Sequence, residues 1–289
     1  MKEDQFLDLM LKMARQAGEI ALKNINKSQA VLKGDQSVLT KTDLAVSRLI
    51  RKNLQGLLKN GQEHILIDEE DAKSEKYFDQ QFLNSVPYIW VIDPIDGTRS
   101  FANQMPTFGI SIGLLKNQRP WLGVVFLPVL KELFYCDGKN AYFVQDAFTA
   151  KSKKHRIKPL SKPVNRKTVL LGNDAFLRKF DWDFDSCQMM LLSCAVIDLC
   201  WPAIGRGCGA SFKANLWDLA GSWPIARKAG LELRNVQTGK VTQHVHLDLF
   251  VGKGMERWRF KDYHILSSAK NFPAIKKLMK MRTHGKTTR

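Results

Sequence analysis

The chain has 289 residues, 44% of them hydrophobic and 25% charged, with a formal net charge of +17. That mixture excludes a disordered polyelectrolyte, and a chain near 300 residues buries about 75% of its unfolded surface, enough for one large or two smaller core-forming domains without disulfide staples. Five cysteines, an odd number with no Cys-x-x-Cys pair, exclude a zinc ribbon and read as buried thiols in a reducing cytoplasm.

Residues 1–30 lack a basic start followed by an apolar run and a cleavage site, and no stretch reaches the 18 or so apolar residues of a membrane span, so a cytoplasmic location away from the membrane is expected. From Phe6 the apolar residues recur at Leu9, Met10, Met13, Ala17, Ile20 and Ala21, the spacing of an amphipathic helix. A second helix is expected from Thr42-Asp43, carrying Ala45, Leu49, Leu54 and Leu58 on one side and stopping at Asn60-Gly61. His64 to Asp68 and Tyr88 to Ile92 are short β-rich runs that end in carboxylates. Thr107 to Leu115 and Trp121 to Leu127 read as a hairpin around a polar turn, and Leu133 to Tyr135 with Tyr142 to Val144 extend that sheet.

Lys151 to Lys167, with Pro159 and Pro163, reads as a linker and sets the expected boundary: residues 1–150 form an N-terminal α+β domain and residues 151–289 a C-terminal α/β domain. Past it, Thr168 to Leu171 reads as a strand, Ser193 to Ile204 as a helix, and Leu216 to Ala229 as a helix stopped by Gly230. The alternation predicts a layered α/β fold. Charge is regional: residues 151–180 carry ten Lys/Arg against Asp174 alone, and residues 251–289 carry eleven against Glu256 and Asp262. Such segments attract anionic substrates or nucleic acid, or serve only as a solvated surface.

The densest polar constellation in apolar surroundings is Trp90-Val91-Ile92-Asp93-Pro94-Ile95-Asp96-Gly97-Thr98-Arg99-Ser100-Phe101. Two carboxylates three residues apart at a strand end aim into one space, Gly97 permits a tight turn, and Thr98 starts a helix whose free amides suit a phosphate. Hard divalent cations take oxygen ligands, so Asp-x-x-Asp-Gly-Thr reads as a metal and phosphate cradle, or as an Asp-rich turn that only caps a helix. Glu69-Glu70-Asp71 follows the first short strand, Trp217-Asp218 opens a helix, and Thr40-x-Thr42-Asp43 opens another.

Together these residues resemble the inositol monophosphatase family of metal-dependent, lithium-sensitive phosphatases. Lys33 to Asp43 is similar to its K-x-D-x-S-x-x-T-x-x-D opening, Asp68-Glu69-Glu70 to its G-E-E element, and Asp93 to Phe101 to its D-P-x-D-G-T-x-x-F element. Trp217-Asp218-Leu219-Ala220 with Ala229-Gly230 is similar to its W-D-x-A…A-G element. The resemblance implies an α/β, layered α-β-α-β-α sandwich of the inositol monophosphatase and fructose-1,6-bisphosphatase type. It implies that Glu69, Asp93 and the carbonyl of Ile95 hold one Mg²⁺, and Asp93, Asp96 and Asp218 a second, with Glu70 as the alternative ligand if the turn is shifted. Thr98, hydrogen-bonded to Asp43, would with Glu69 serve catalysis by activating the attacking water. Gly97, Thr98, Asp96, Ser193 and Ser211 would meet the substrate.

Departures narrow what the resemblance implies. Asp68 stands where the family has Gly, Ser100 where it has Asn, and Gly138-Lys139-Asn140-Ala141 where it has a G-x-G-A turn. A Gly-Ser/Thr-Ala element is Leu192-Ser193-Cys194, and Ser211 occupies the position of an acidic hydroxyl-binding residue in inositol-selective members, which argues against inositol itself. The expected function is a Mg²⁺-dependent phosphomonoesterase acting on a small soluble phosphorylated metabolite. A 3′(2′),5′-bisphosphate nucleotidase and a histidinol phosphatase are alternatives of the same chemistry. An RNA- or ribosome-associated binding protein on a phosphatase fold is the alternative of another class, with secondary RNA binding its weaker form, although the basic segments lack the interleaved aromatics of a stacking platform. A homodimer is expected by resemblance.

Overall fold

The computed structural model describes residues 2–27, 30–33, 38–59, 61–254 and 256–282. Gly34 to Ser37 of the opening element, Asn60 of the expected helix stop, and Met255 and residues 283–289 of the basic C-terminal segment lie outside the described residues. Helix α1 (Glu3–Asn24) buries Phe6, Met10, Met13, Ala17 and Ala21, the stripe that the spacing predicts. A ribbon of β1 (Ala30–Leu32) and β2 (Val38–Thr40) leads into α2 (Lys41–Leu58). The start of α2 is fixed reciprocally: the Asp43 carboxylate accepts the Thr40 amide at 3.0 Å, and the Thr40 hydroxyl accepts the Thr42 amide.

Next come β3 (His64–Asp68), α3 (Gln80–Ser85), β4 (Tyr88–Asp96), α4 (Thr98–Ala102), β5 (Gly109–Lys116), β6 (Arg119–Leu127), β7 (Glu132–Cys136), β8 (Ala141–Gln145) and β9 (Lys153–Ile157). Strands β3 to β9 form one seven-stranded sheet in chain order, parallel between β3 and β4 and antiparallel elsewhere. The basic stretch read as a linker therefore begins as β9, the exposed edge strand of this sheet.

The remaining elements are β10 (Val169–Gly172), α5 (Asp174–Lys179), β11 (Phe180–Trp182), β12 (Gln188–Leu191), α6 (Ala195–Cys200), β13 (Gly209–Phe212), α7 (Leu216–Ala220), α8 (Ser222–Lys228), β14 (Glu232–Asn235), β15 (His264–Ser267), α9 (Asn271–Lys277) and β16 (Met279–Met281). A five-stranded sheet runs in the order β12-β10-β13-β15-β14, and β11 pairs with β16. Two helices read from the sequence as continuous are divided. Pro202 has no N–H to continue α6, which passes into a 3₁₀ turn at Trp201–Ile204. Pro224 likewise cannot donate to the carbonyl four residues back, and α7 gives way to α8 at Gly221.

Layering follows from which faces are apolar. Helices α1 and α2 cover one face of the seven-stranded sheet, with Trp90, Ile92, Ile110, Ile112 and Val124 between them. Helices α6, α7 and α8 fill the space between the two sheets, and α5 and α9 cover the outer face of the five-stranded sheet. The order is α-β-α-β-α, as expected. Among the described residues no helix is long and apolar enough to cross a membrane.

One close approach positions the second half of the chain on the first. Gly113 of β5 and Gly123 of β6 sit opposite each other. A Cβ on Gly113 would lie 2.5 Å from the backbone of Ala220, and one on Gly123 would lie 2.1 Å from the Gly221 carbonyl oxygen. The α7–α8 junction thus rests directly on sheet backbone, and the Ser111 hydroxyl beside it donates to the Trp217 carbonyl at 3.1 Å. Gly123→Ala should cost about 1–3 kcal/mol through overpacking, read as a lower midpoint in chemical denaturation. A change of under about 0.5 kcal/mol would mean that the seat is slack.

Candidate active site

Strand β4 carries two of the carboxylates. Asp93 pairs across to Ser111, the register with β5 shifts between Asp93 and Asp96, and Pro94 in that interval has no amide to offer the ladder. The strand, expected to stop at Ile92, therefore continues to Asp96. Gly97 then turns the chain at φ 81°, and a Cβ there would lie 2.8 Å from the Thr107 carbonyl and 3.2 Å from that of Ser193, so the turn requires glycine. Helix α4 starts immediately at Thr98.

Asp218 reaches the same place from α7, where its carboxylate accepts the Asn215 amide at 2.7 Å. The Ser111 contact to Trp217, its neighbour, ties this residue to the strand that faces Asp93. Asp93, Asp96 and Asp218 each offer a carboxylate oxygen, all within 4.8 Å of one another. Asp96 is further clasped by the Val196 amide at 2.6 Å and the Cys194 thiol at 3.1 Å, both donating from the start of α6. Oδ1 of Asp93 is buried with no hydrogen-bond partner.

Around this trio, Thr98 Oγ1 lies 2.8 Å from the Ile95 carbonyl and 3.2 Å from Asp43 Oδ1. Glu69 and Glu70 follow β3, and Lys33 Nζ meets both, at 3.0 and 2.8 Å. Lys33 was not among the site residues chosen from sequence, although it opens the quoted motif. Asp68, the departure from the family's Gly, has a structural explanation: it is fully buried and accepts the Ser47 hydroxyl at 2.6 Å, Arg51 at 3.1 Å and the Glu70 amide at 3.0 Å. It anchors the acidic turn to α2.

Burial dominates the electrostatics. It raises Asp93 well above the usual carboxylate range, aided by Glu69, Asp96 and Asp218. Burial pushes Asp96 up to about 6 despite the donors from α6, and with Asp96 and Glu69 it pushes Asp218 up to about 8. Asp43 rises to about 6 through burial, and Glu70 to about 8 through burial and Glu69. Burial opposes the Lys33 charge, but Glu69 and Glu70 outweigh it and raise its pKa. A gathered, oxygen-only donor set with an orphaned buried oxygen fits a hard divalent cation held by Asp93, Asp96 and Asp218.

A cleft of about 670 Å³ opens over this centre. Glu69, Asp96, Gly97, Thr98, Ser193 and Asp218 of the expected site line it, whereas the buried Asp43, Asp93 and Ile95 do not. Ser211 is not brought to the cleft. It is buried on β13, its hydroxyl has no partner, and a Cβ on Gly172 would lie 2.7 Å from that oxygen. The wall here is formed by Phe212 to Asn215 instead. Asp198 of α6, which the sequence reading missed, also lines the cleft; it is 4% exposed with Oδ1 unpartnered, and burial followed by Asp96 raises its pKa well above the usual range. The helical stretch Ser193 to Ile204 held it without any local mark of function.

The sequence profile of the Inositol monophosphatase family matches residues 2–264. Inositol monophosphatase 1 of Solanum lycopersicum is 30% identical over 238 residues, 78% of this chain and 83% of that one. The Nus factor SuhB of Haemophilus influenzae is 29% identical over 234 residues, covering 78% and 82%. A solved IMPase/NADP phosphatase, complexed with Mg²⁺ and phosphate, superposes with a TM-score of 0.74 at 16% identity over 99% of this chain and all of that one.

The raised carboxylates give a pH prediction. Their folded pKa values of about 6 to 8 exceed the ordinary values of 3.8 and 4.5, so the metal-free folded state binds these protons more tightly than the unfolded chain does. That stabilisation is complete below the ordinary values and is lost as pH rises through the folded ones. In EDTA the melting temperature should therefore fall from about pH 5 to about pH 8, and Mg²⁺ should raise it most at the alkaline end, where no proton must be displaced. A flat profile with no response to Mg²⁺ would contradict this account of the trio.

Proposed function

Because the chain belongs to the inositol monophosphatase family, whose members are phosphoric monoester hydrolases, we propose that its cleft hydrolyses a small soluble phosphorylated metabolite with Mg²⁺ as cofactor. The observation that carries this reading is the trio Asp93, Asp96 and Asp218, gathered within 4.8 Å beside the cleft with an unpartnered oxygen on Asp93. Mg²⁺ held there would polarise the phosphoryl oxygens, lower the pKa of water and neutralise the leaving oxygen.

The chain's own groups do the rest. The Gly97 and Thr98 amides at the start of α4 receive phosphoryl oxygens. The Thr98 hydroxyl, 3.2 Å from Asp43, orients the attacking water and passes proton density toward that carboxylate. Asp43 is kept in place by the Thr40 amide, and its pKa of about 6 suits a proton acceptor near neutrality. Glu69, at the cleft wall and 3.0 Å from the Lys33 ammonium, would be the further carboxylate ligand. The α6 donors hold Asp96 in one orientation.

Phosphate release from inositol 1-phosphate, adenosine 3′,5′-bisphosphate, histidinol phosphate and fructose 1,6-bisphosphate, with Mg²⁺ and with EDTA, tests the reading. Release from none, or release that survives EDTA, would overturn it. Asp93→Asn and Asp218→Asn should each abolish turnover while circular dichroism stays native; a near wild-type kcat in either would remove that residue from the metal site. Thr98→Ala should lower kcat about 100-fold or more with KM little changed, and a rise in KM alone would make the hydroxyl a phosphate ligand instead.

A further inference from the structure

Of the five cysteines, all buried and none disulfide-bonded, two face each other. Cys187 Sγ lies 3.9 Å from Cys208 Sγ, and among the described residues no other thiol has a second one within hydrogen-bonding reach. Cys187 stands immediately before β12 and Cys208 immediately before β13, the two strands that flank β10 and run parallel to it. Both thiols also meet the backbone where β10 begins, Cys187 at the Thr168 carbonyl (3.4 Å) and Cys208 at the Val169 carbonyl (3.3 Å). The chemistry of the cleft uses neither: β12 and β13 deliver Ser193, Cys194, Phe212 and Lys213 to it from their far ends.

We propose that Cys187 and Cys208 are a reversible oxidation site, a dithiol that hydrogen peroxide converts to a disulfide joining the starts of β12 and β13. Proximity is the first support. A disulfide sets its sulfurs about 2 Å apart, so the two side chains have a gap of about 2 Å to close between them, and each stands at a strand end rather than inside a ladder. The second support is that the pair is unequal. The Cys208 S–H donates to Cys187 and pulls that thiol down to about 7 despite its burial, while the same hydrogen bond, and then burial, raises Cys208. One member is thereby the attacking thiolate and the other the resolving thiol. Burial raises Cys136, Cys194 and Cys200 instead, the condition of an inert thiol. Cys187 is also flanked in the chain by exposed residues, Asp183 to Asp185 before it and Gln188 after it, so local opening of a surface turn admits a molecule as small as the peroxide. The Cys187 thiolate attacks one peroxide oxygen, forming the S–O bond of a sulfenic acid as the O–O bond breaks and hydroxide leaves. The Cys208 sulfur then attacks the sulfenic sulfur: the S–S bond forms, the S–O bond breaks, and the departing hydroxide takes the Cys208 proton as water. In total the two thiols give two electrons and two protons to one peroxide, which ends as two waters. The proposal does not rest on the phosphomonoesterase reading of the cleft.

The test treats the folded, reduced protein with a small excess of hydrogen peroxide, blocks the remaining thiols with N-ethylmaleimide and maps the digest by mass spectrometry. The peptides that contain Cys187 and Cys208 should appear joined and lighter by two hydrogens, and dithiothreitol should return both thiols. In Cys208→Ser, dimedone should capture a sulfenic acid at Cys187, and in Cys187→Ser its capture at Cys208 should be slower by about ten-fold or more, with circular dichroism checking that both variants fold. Peptides that stay unlinked, a link from Cys187 to any other cysteine, or a link that forms only after unfolding in urea would each overturn the proposal, and the wild-type map alone decides these outcomes. Equal capture at the two positions would overturn the division of roles between the thiols.

Discussion

Like charges in a dry place set the terms for this molecule. Two charged carboxylates about 4 to 5 Å apart repel by roughly 3 to 4 kcal/mol at an effective dielectric of 20, and Asp93, Asp96 and Asp218 each offer an oxygen within 4.8 Å of the others. Among the described residues no Lys or Arg pairs with any of them, and the nearby Lys33 is committed to Glu69 and Glu70. The fold supplies dipoles instead: the amides of Val196 and Asn215 and the Cys194 thiol each donate to one member. Those donors orient the trio without neutralising it. Burial and this mutual repulsion together favour the protonated acids, and the proposed divalent cation would offset the same repulsion.

The surroundings make sense as supports for that cluster. The register shift after Asp93 lets β4 deliver a second carboxylate three residues on, Gly97 turns the chain where no Cβ fits, and Ser111 holds the α7 backbone against the neighbouring strand. Asp68 shows the same logic one step further out. A buried acid in place of a small residue is tolerable because Ser47, Arg51 and the Glu70 amide all converge on it, and in return it fixes the turn that carries Glu69 and Glu70.

Legibility in the sequence tracked how local the cause was. Helix α1 could be read from Phe6 to Ala21 because its apolar stripe repeats over many turns, and β3, β5 and β6 because their runs are long or sharply bounded. Asp93, Asp96, Thr98 and Asp218 could be singled out because each sits in a dense local pattern; the structure gathers the three carboxylates and sets Thr98 beside Asp43. Strands β12 and β13, four residues each, carry too little pattern to register, and β12 is largely exposed. Side-chain direction failed for the same reason: whether Ser211 or Lys213 faces the cleft depends on the exact strand bounds and on its partner β10. Lys33 stands in the quoted opening motif, but its partners Glu69 and Glu70 lie far away in sequence, and the apolar window around Asp198 gives no sign that this carboxylate lines the cleft.

The glycines of β5 and β6 have a consequence for how this protein can diverge. Gly113, Gly123, Ala220 and Gly221 form one contact surface without side chains beyond a methyl group, so a bulkier residue at any of them lifts α7 away from the sheet and carries Asp218 with it. The four must vary as a set. The halves therefore cannot be exchanged as modules with those of a distant relative, even where each half would fold, since the third carboxylate belongs by sequence to one half and by position to the other.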